Sequence, residues 1–538
     1  MIPMKLRERH LEKLSQATYD ALIIGGGING ATSAAALAGR GAKVALIDKG
    51  DFAGFTSQHS SNLIWGGIKY LETYDFRLVW ELCQSRNKLM KYYPSTVKEI
   101  RFLATIPEHF RYPRLLPWLG AWLYWFMGKG FTQPPRLLSQ QDIKKEESII
   151  DGERSQGGFE YSDAYLYDND ARFVFNFIRS ALNCGGIAAN YVESLGAKSD
   201  ANKIWRTQAR DQISGKEFEI KSKVLINATG PFVDQHNHLT GQKTPHQHVF
   251  SKGVHLIVDQ LTPHHRVLAF FASDGRLFFA IPMGARTCIG TTDTHVEAPT
   301  TTVATEDRQF ILDNINRLLA LKKPLQVEDI IAERCGVRPL VVATGASGKK
   351  DWLELSRKHE IDANRDTAHL SIFGGKLTDC LNVGEEVCGL IQTLGISLPH
   401  PQHACFGEPP EAVKKAFLQQ AEAIGLDNYT SLETAEKLTC RLWRRYGSEA
   451  IRLLANIQAD PKQAEVLIKG AEYLRCELQL AARNEMIVKL DDFLRRRSKI
   501  ALMVRRQNLK RSAGLKEACK ILFGKQAEEK LAEYFQEN

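Results

Sequence analysis

The stretch 19-YDALIIGGGINGATSAAALAGRGAKVALID-48 limits what this chain can fold into more than any other part of it. An apolar run suited to a buried strand enters G-x-G-x-x-G at Gly25, Gly27 and Gly30. An alanine-rich segment with a closing glycine follows, which suits a helix with a stop. A second apolar run, 43-KVALID-48, ends on Asp48. Strand, glycine turn, helix, strand and acid is the order in which a parallel βαβ unit builds a dinucleotide site. Gly25 makes the tight turn, Gly27 lets a pyrophosphate approach the backbone beside Asn29, and Gly30 lets the helix pack on the strand. The helix N-terminus offers N–H groups and partial positive charge to phosphate, and Asp48 can accept both hydroxyls of an adenine ribose. A glycine turn that only saves space would leave the acid unexplained.

No second glycine fingerprint opens another strand and helix, so one dinucleotide and no separate nicotinamide site are expected. Segment 224-VLINATG-230, a strand ending in a small-residue turn at Gly230, suits a second approach to that cofactor. These features favour FAD, although an NAD dehydrogenase could open with the same unit.

At 538 residues the chain exceeds one hydrophobic core. Its charge of +9, from 71 basic and 62 acidic residues, admits an anionic substrate, a membrane surface or a nucleic acid and does not choose among them. The ten cysteines include no C-x-x-C pair, which argues against a disulfide framework and a structural metal and favours a reducing compartment. The first seventeen residues are charged throughout and lack a signal peptide's apolar core.

The longest uncharged apolar run, 115-LLPWLGAWLYWFM-127, would reach roughly 20 Å as a helix, short of the roughly 30 Å hydrocarbon core of a bilayer. Trp118, Trp122, Tyr124 and Trp125, flanked by Arg111, Arg114 and Lys129, match an interfacial helix. A buried helix is the alternative, and both readings stay open.

The sequence resembles the FAD-dependent glycerol-3-phosphate dehydrogenases of the respiratory, or aerobic, type over nearly its whole length. The resemblance is carried by GGGINGA (25–31), TSQHSSNLIWGGIKYLE (56–72), FEYSDAYLYDNDAR (159–172), NATGPFVD (227–234), SKGVH (251–255), GVRPL (336–340), LSRKHEI (355–361) and FGGKLTD (373–379). The last part of the chain, around CELQLAARNEMIVKLDDFLRRR (476–497), resembles the family's helical tail.

The resemblance implies oxidation of sn-glycerol 3-phosphate to dihydroxyacetone phosphate, with electrons passing to membrane quinone. It places substrate contacts at Lys69, Tyr70, Arg338, Arg357 and Lys376, four of them cations suited to a phosphate, with Arg338 also in a catalytic role. It places the active-site histidine at His255, in the pKa range of a general base; His359 and the pair His264–His265, in charged or loop-like surroundings, suit that role less. Thr56, Ser57, Ser60 and Ser61 are expected to donate to the cofactor, and Gly66 and Gly67 to let the chain pass tight against it. Gly375, Lys376, Leu377 and Thr378 should open a helix whose N–H groups face the edge of the flavin that becomes negative on reduction.

The expected architecture is α/β: a single Rossmann-type FAD-binding domain (1–75, 150–240 and 340–395), interleaved with a mixed-sheet substrate domain (76–149 and 241–339). An all-α C-terminal domain (396–538) follows, entered through the proline- and glycine-rich stretch 395–412. Its basic cluster 494-LRRRSKIALMVRRQNLKR-511 could be a solvated face, a contact to acidic lipid or a nucleic-acid patch, and the resemblance ranks lipid above nucleic acid. The partners expected are glycerol 3-phosphate, quinone and an anionic membrane surface, with the protein peripheral on the cytoplasmic face of the inner membrane. No nucleic acid and no metal are expected, and a homodimer is admissible.

One stretch departs from the family, which usually has lysine, histidine and arginine where this chain has Asn62, Trp65 and Lys69. Trp65 cannot shuttle a proton, and Lys69 keeps charge without a bidentate fork. The departures leave room for a related polyol phosphate and for a flavin protein without turnover that binds membrane or RNA; an amine or amino-acid oxidase is a further alternative, because such enzymes share the single Rossmann unit and a mixed-sheet substrate domain.

Overall fold

The structure is a computed structural model that describes all residues except 1–4, 109, 111, 114, 152–154, 346–357, 404–405, 431–433, 435 and 538. The chain divides into two compact units: Met1–Gln58, Asp168–Phe250 and Arg338–Asn538 form the first, and His59–Tyr167 with Ser251–Val337 the second.

In the first unit, helix α1 (Leu6–Leu14) precedes strand β1 (Thr18–Ile24), helix α2 (Ile28–Gly39) and strand β2 (Val44–Ile47). β1 pairs in parallel with β2 on one side and with Glu217–Asn227 on the other. Ile187–Ala189 extends the parallel sheet beyond β2, and His369–Phe373 extends it beyond Glu217–Asn227. The β1 residues Ala21, Leu22 and Ile23 are fully buried, as are Val224, Leu225 and Ile226 of the neighbouring strand. Near-continuous apolar runs of this kind belong to strands covered on both faces. The alanines of α2 are buried too, and their small side chains let that helix lie close to the sheet.

Every named element from Glu411 to Glu537 in this unit is helical. One apolar cluster there is built around Phe417, Leu442, Trp443 and Leu453, and another around Leu478, Phe493, Leu494 and Leu522.

The second unit carries a mixed ten-stranded sheet. Val97–Pro107 pairs antiparallel with Ser155–Leu166 and parallel with Arg266–Phe271. The substrate segment begins earlier than expected. Strand Leu63–Ile64 pairs with Tyr165 and Ala164, so residues 59–75, assigned from sequence to the dinucleotide domain, belong to the second unit. The all-helical C-terminal region lies, with the rest of 338–538, in one compact unit with the βαβ fold. The thiols also need one correction, because Cys184 is disulfide-bonded.

Candidate active site

The first unit builds a tight cradle at the carboxyl ends of β1 and Glu217–Asn227, a position that suits ligands in open α/β sheets. Gly25 has φ +105°, and a Cβ there would come within 2.4 Å of the Ala228 carbonyl oxygen. A Cβ on Gly30 would stand 1.9 Å from the Gly25 oxygen. Only glycine fits at either place. Ser57 Oγ accepts the Ile28 N–H at 3.0 Å at the start of α2, which ties the loop after β2 to the glycine turn.

Asp48 is buried beneath that turn, accepting the Gly26 N–H at 2.7 Å and the Gly50 N–H at 2.8 Å. Burial pushes its carboxyl up to about 6, and the two N–H groups offset only part of that.

Asn29 reaches across the same region. Its Nδ2 donates to the Gly374 carbonyl at 3.0 Å, while its Oδ1 is buried without a hydrogen-bond partner among the described residues. Gly374 (φ +60°) and Gly375 (φ +97°) are both left-handed. They lead through Lys376 into a 3-10 turn, Leu377–Asp379, and the helix Cys380–Thr393. Thr378 is buried, and Lys376 and Leu377 are half-buried. Gly230 (φ +60°) has open space where a Cβ would point. Arg338 is half-buried on the strand Ala332–Ala343.

His359 lies in charged surroundings, as its sequence neighbours imply. It is buried, with Nδ1 at 2.7 Å from Asp379 Oδ2 and Nε2 at 3.0 Å from Glu386 Oε2. Burial lowers its pKa, but hydrogen bonds to Asp379 and Glu386 outweigh burial and raise it to about 9. An imidazole held protonated at neutral pH cannot serve as a general base.

In the second unit by itself, the stretch around Gly66 and Gly67 is tightly held. The Gly66 N–H donates to Asp163 Oδ1 at 3.0 Å, and the same carboxylate accepts from Arg86 Nη1 at 3.0 Å and from the Tyr124 hydroxyl at 2.8 Å. A Cβ on Gly66 would stand 2.2 Å from that hydroxyl. Gly67 is left-handed at φ +81° and starts the 3-10 turn Ile68–Leu71, on which Lys69 is exposed and Tyr70 half-buried.

The departures in this stretch have local partners. Asn62 (φ +61°) is buried, donates to the Leu166 carbonyl at 3.1 Å and accepts from Arg334 Nη1 at 2.7 Å. Trp65 lies with its ring centroid 6.0 Å from that of Tyr70. Ser60 Oγ accepts the Asn62 N–H at 3.1 Å, and Ser61 is half-buried. His255 is buried on the strand His246–Asp259, opposite Gly290. His265 contacts the Tyr167 hydroxyl at 2.7 Å, and its pKa is lowered by burial and then by Lys98. Arg357 lies outside the described residues.

The family described as FAD dependent oxidoreductase matches residues 20–355. The aerobic glycerol-3-phosphate dehydrogenase of Bacillus subtilis is 30% identical over 509 residues, covering 91% of this chain and 89% of its own length. The enzyme of the same name from Escherichia coli is 31% identical over 503 residues, covering 90% and 94%. The chain belongs to the aerobic glycerol-3-phosphate dehydrogenase family.

The family described as the C-terminal domain of alpha-glycerophosphate oxidase matches residues 411–529 of this dehydrogenase-family chain. A solved glycerol-3-phosphate dehydrogenase from Bacillus halodurans, complexed with FAD, superposes with a TM-score of 0.74 at 25% identity, covering 99% of this chain and 97% of that one. The protein is an FAD-dependent oxidoreductase.

The residues of the first unit fit that cofactor. The Gly25 and Gly30 positions exclude any side chain, the Gly27 backbone borders Ser57, and the orphaned Asn29 Oδ1 asks for a donor such as a hydroxyl. Asp48, buried without a guanidinium, can accept ribose hydroxyls with its remaining lone pairs.

Sequence reading did not find Asp163, Arg86, Asn62's partner Arg334, or the clamp on His359. Asp163 sits inside a motif that carried the resemblance, yet its strand is buried on both faces, so alternation gives no signal for it.

Proposed function

We propose that the protein oxidises sn-glycerol 3-phosphate to dihydroxyacetone phosphate and passes the electron pair to a membrane quinone. Likeness along the full chain to glycerol-3-phosphate dehydrogenases carries this reading, because it includes the helical region 411–529 as well as the cofactor fold. When bound, FAD supplies the acceptor for the hydride from substrate C2.

Lys69, Tyr70, Arg338, Arg357 and Lys376 bind the phosphate and orient C2. His255 takes the C2 hydroxyl proton, so that the alcohol loses one hydride and one proton and becomes the ketone. Helix N–H groups around Gly375–Thr378 favour negative charge on the reduced ring. Turnover of glycerol 3-phosphate to dihydroxyacetone phosphate with a soluble quinone analogue tests the assignment. A His255→Ala variant that kept full turnover and an unchanged pH profile would remove the histidine from it.

Among the described residues no helix is long and apolar enough to cross a membrane. The helix Leu115–Met127 instead buries Ala121 and Tyr124 and exposes Leu115, Leu116, Leu119, Leu123 and Phe126. Tyr74, Phe76 and Trp80, at the start of the helix Phe76–Tyr92 and just before it, are exposed as well. Exposed Lys129 supplies positive charge in the same unit, as does exposed Arg77 in part, since it is paired with Glu81. We assign the docking on an anionic membrane to this apolar face and its cations.

The basic tail gives that reading less support than its sequence promised, because Arg495, Arg496 and Arg497 are buried. A Leu119→Gln, Phe126→Gln variant should move from the membrane fraction to the cytosol at low salt. Wild-type protein found wholly in the cytosol at every ionic strength would contradict membrane docking.

A further inference from the structure

The buried arginines of the tail have partners in the same unit that bear on the cofactor. Three consecutive charged residues are buried in a π-helical turn, Asp492–Arg497, which requires neighbours on every side of it. The neighbour on one side is the loop after β2. Arg497 grips Asp51 with both ends of its guanidinium, Nη1 to Oδ2 at 2.8 Å and Nη2 to Oδ1 at 2.8 Å. Arg496 Nε adds a third contact to Asp51 at 2.7 Å. Arg495 donates to the Gln58 carbonyl and Arg496 Nη1 to Gln58 Oε1 at 3.4 Å, while Gln58 Nε2 spans back to the Gly54 carbonyl at 2.6 Å.

Both ends of the loop 51–58 are thus held from the tail, and the loop touches the glycine turn at three points. A Cβ on Gly26 would lie 2.5 Å from the Phe52 ring, so Phe52 packs directly beneath that turn. The Ala53 N–H donates to the Gly26 carbonyl at 3.0 Å, and Ser57 Oγ accepts from Ile28. Arg497 also stacks over Phe175, 4.1 Å from the ring centroid, which fixes the plane of its fork.

We infer that the helical tail has a cofactor function: Arg495, Arg496 and Arg497 are positioning residues that hold the loop 51–58 against the glycine turn and so set how tightly FAD is bound. Among the described residues the hydrogen bonds of these arginines reach the loop rather than the glycines, so the tail acts at one remove. A bidentate charge-assisted pair specifies position as well as energy. Fixing the loop before the cofactor arrives saves the cost of ordering it on binding. This inference rests on FAD dependence and not on the identity of the substrate.

The full-length chain, stripped of flavin and titrated with FAD by fluorescence quenching, tests it, with far-UV melting of the apo-protein measured alongside. Arg497→Lys keeps the charge but loses the fork, and should raise the FAD dissociation constant by about tenfold. Gln58→Ala removes only the side-chain bonds of the link, to Arg496 Nη1 and to the Gly54 carbonyl, and leaves the buried charges and the backbone bond to Arg495 in place; it should weaken FAD by about threefold, with a smaller fall in the apo-protein melting temperature than Arg441→Lys. Arg441→Lys is the control. Arg441 pairs with Glu477 at 3.2 Å inside the same helical region, with no bond to the loop among those described. It should lower the melting temperature and leave FAD affinity unmoved.

If Arg497→Lys fails to fold, Gln58→Ala decides alone. Wild-type FAD affinity in Gln58→Ala and in any folded Arg497→Lys protein would overturn the inference. A loss of affinity in Arg441→Lys as large as in Arg497→Lys would overturn it too, since general loosening of the tail would then suffice.

Discussion

Asp48 and Asp51 stand three residues apart at the end of the same strand, and both are buried, yet their carboxyls are driven in opposite directions. Burial raises the pKa of each. In Asp51 it is outweighed by Arg497 and Arg496, which hold the group below the usual carboxylate range. Asp48 receives N–H groups and no guanidinium, and stays up at about 6. A carboxylate that the protein has paired fully is structural, because nothing is left for a ligand to supply. One that is buried and underpaid in hydrogen bonds is held ready for a partner.

The largest expected effect separates these two directly. Asp51→Asn leaves two buried guanidiniums short of charge and should cost about 3–5 kcal/mol of stability, read as a drop in the melting temperature. Asp48→Asn keeps the acceptor shape at one oxygen and should cost under about 1 kcal/mol while weakening FAD. Equal destabilisation by the two would break the comparison.

The next effect is the pH dependence of the flavin-free protein. A folded pKa of about 6 lies above the carboxylate's ordinary value of 3.8. Between those pH values the folded state therefore binds more protons than the unfolded one, and stability falls as pH rises through the window. The loss due to Asp48 should be about 2–3 kcal/mol and absent in Asp48→Asn. FAD, whose hydroxyls favour the ionised carboxylate, should bind more tightly above pH 6 than below it in the wild type only.

His359 is the cationic counterpart of Asp51. Its folded pKa of about 9 is raised above 6.5, so its contribution to stability is complete below pH 6.5 and is lost as pH rises through 9. Glu386 is half exposed, so solvent screens one partner. A contribution of about 2 kcal/mol remains, to be read as a pH-dependent gap in urea midpoint between wild type and His359→Gln. The smallest effect is at Tyr124→Phe, which removes one hydrogen bond to buried Asp163 and should cost about 1 kcal/mol. Because Asp163 also holds the Gly66 N–H, the KM for glycerol 3-phosphate should rise more than kcat falls.

The βαβ unit was legible because each of its parts is local: Gly25, Gly30 and Asp48 take their roles from neighbours within one supersecondary unit. The stretch 59–75 groups with the second unit and not, as the sequence suggests, with the dinucleotide fold, because a two-residue strand, Leu63–Ile64, is too short to carry a period and its pairing with Tyr165 and Ala164 is not visible in sequence. The arginines at 495–497 read as a surface cluster because their partners, Asp51 for Arg496 and Arg497 and the Gln58 carbonyl for Arg495, are more than four hundred residues away in sequence. Asn62 and Trp65 read as departures from a site, and Asn62 turns out to anchor Arg334. Composition told that a residue was charged or polar; it could not tell which distant element would pair with it.

The central claim is flavin-dependent oxidation of glycerol 3-phosphate, and anaerobic reduction of the purified yellow protein tests it most directly. Glycerol 3-phosphate should bleach the flavin without any added acceptor, and amino acids should leave it oxidised. Flavin that is bleached by an amino acid, or by no polyol phosphate at all, would contradict the account.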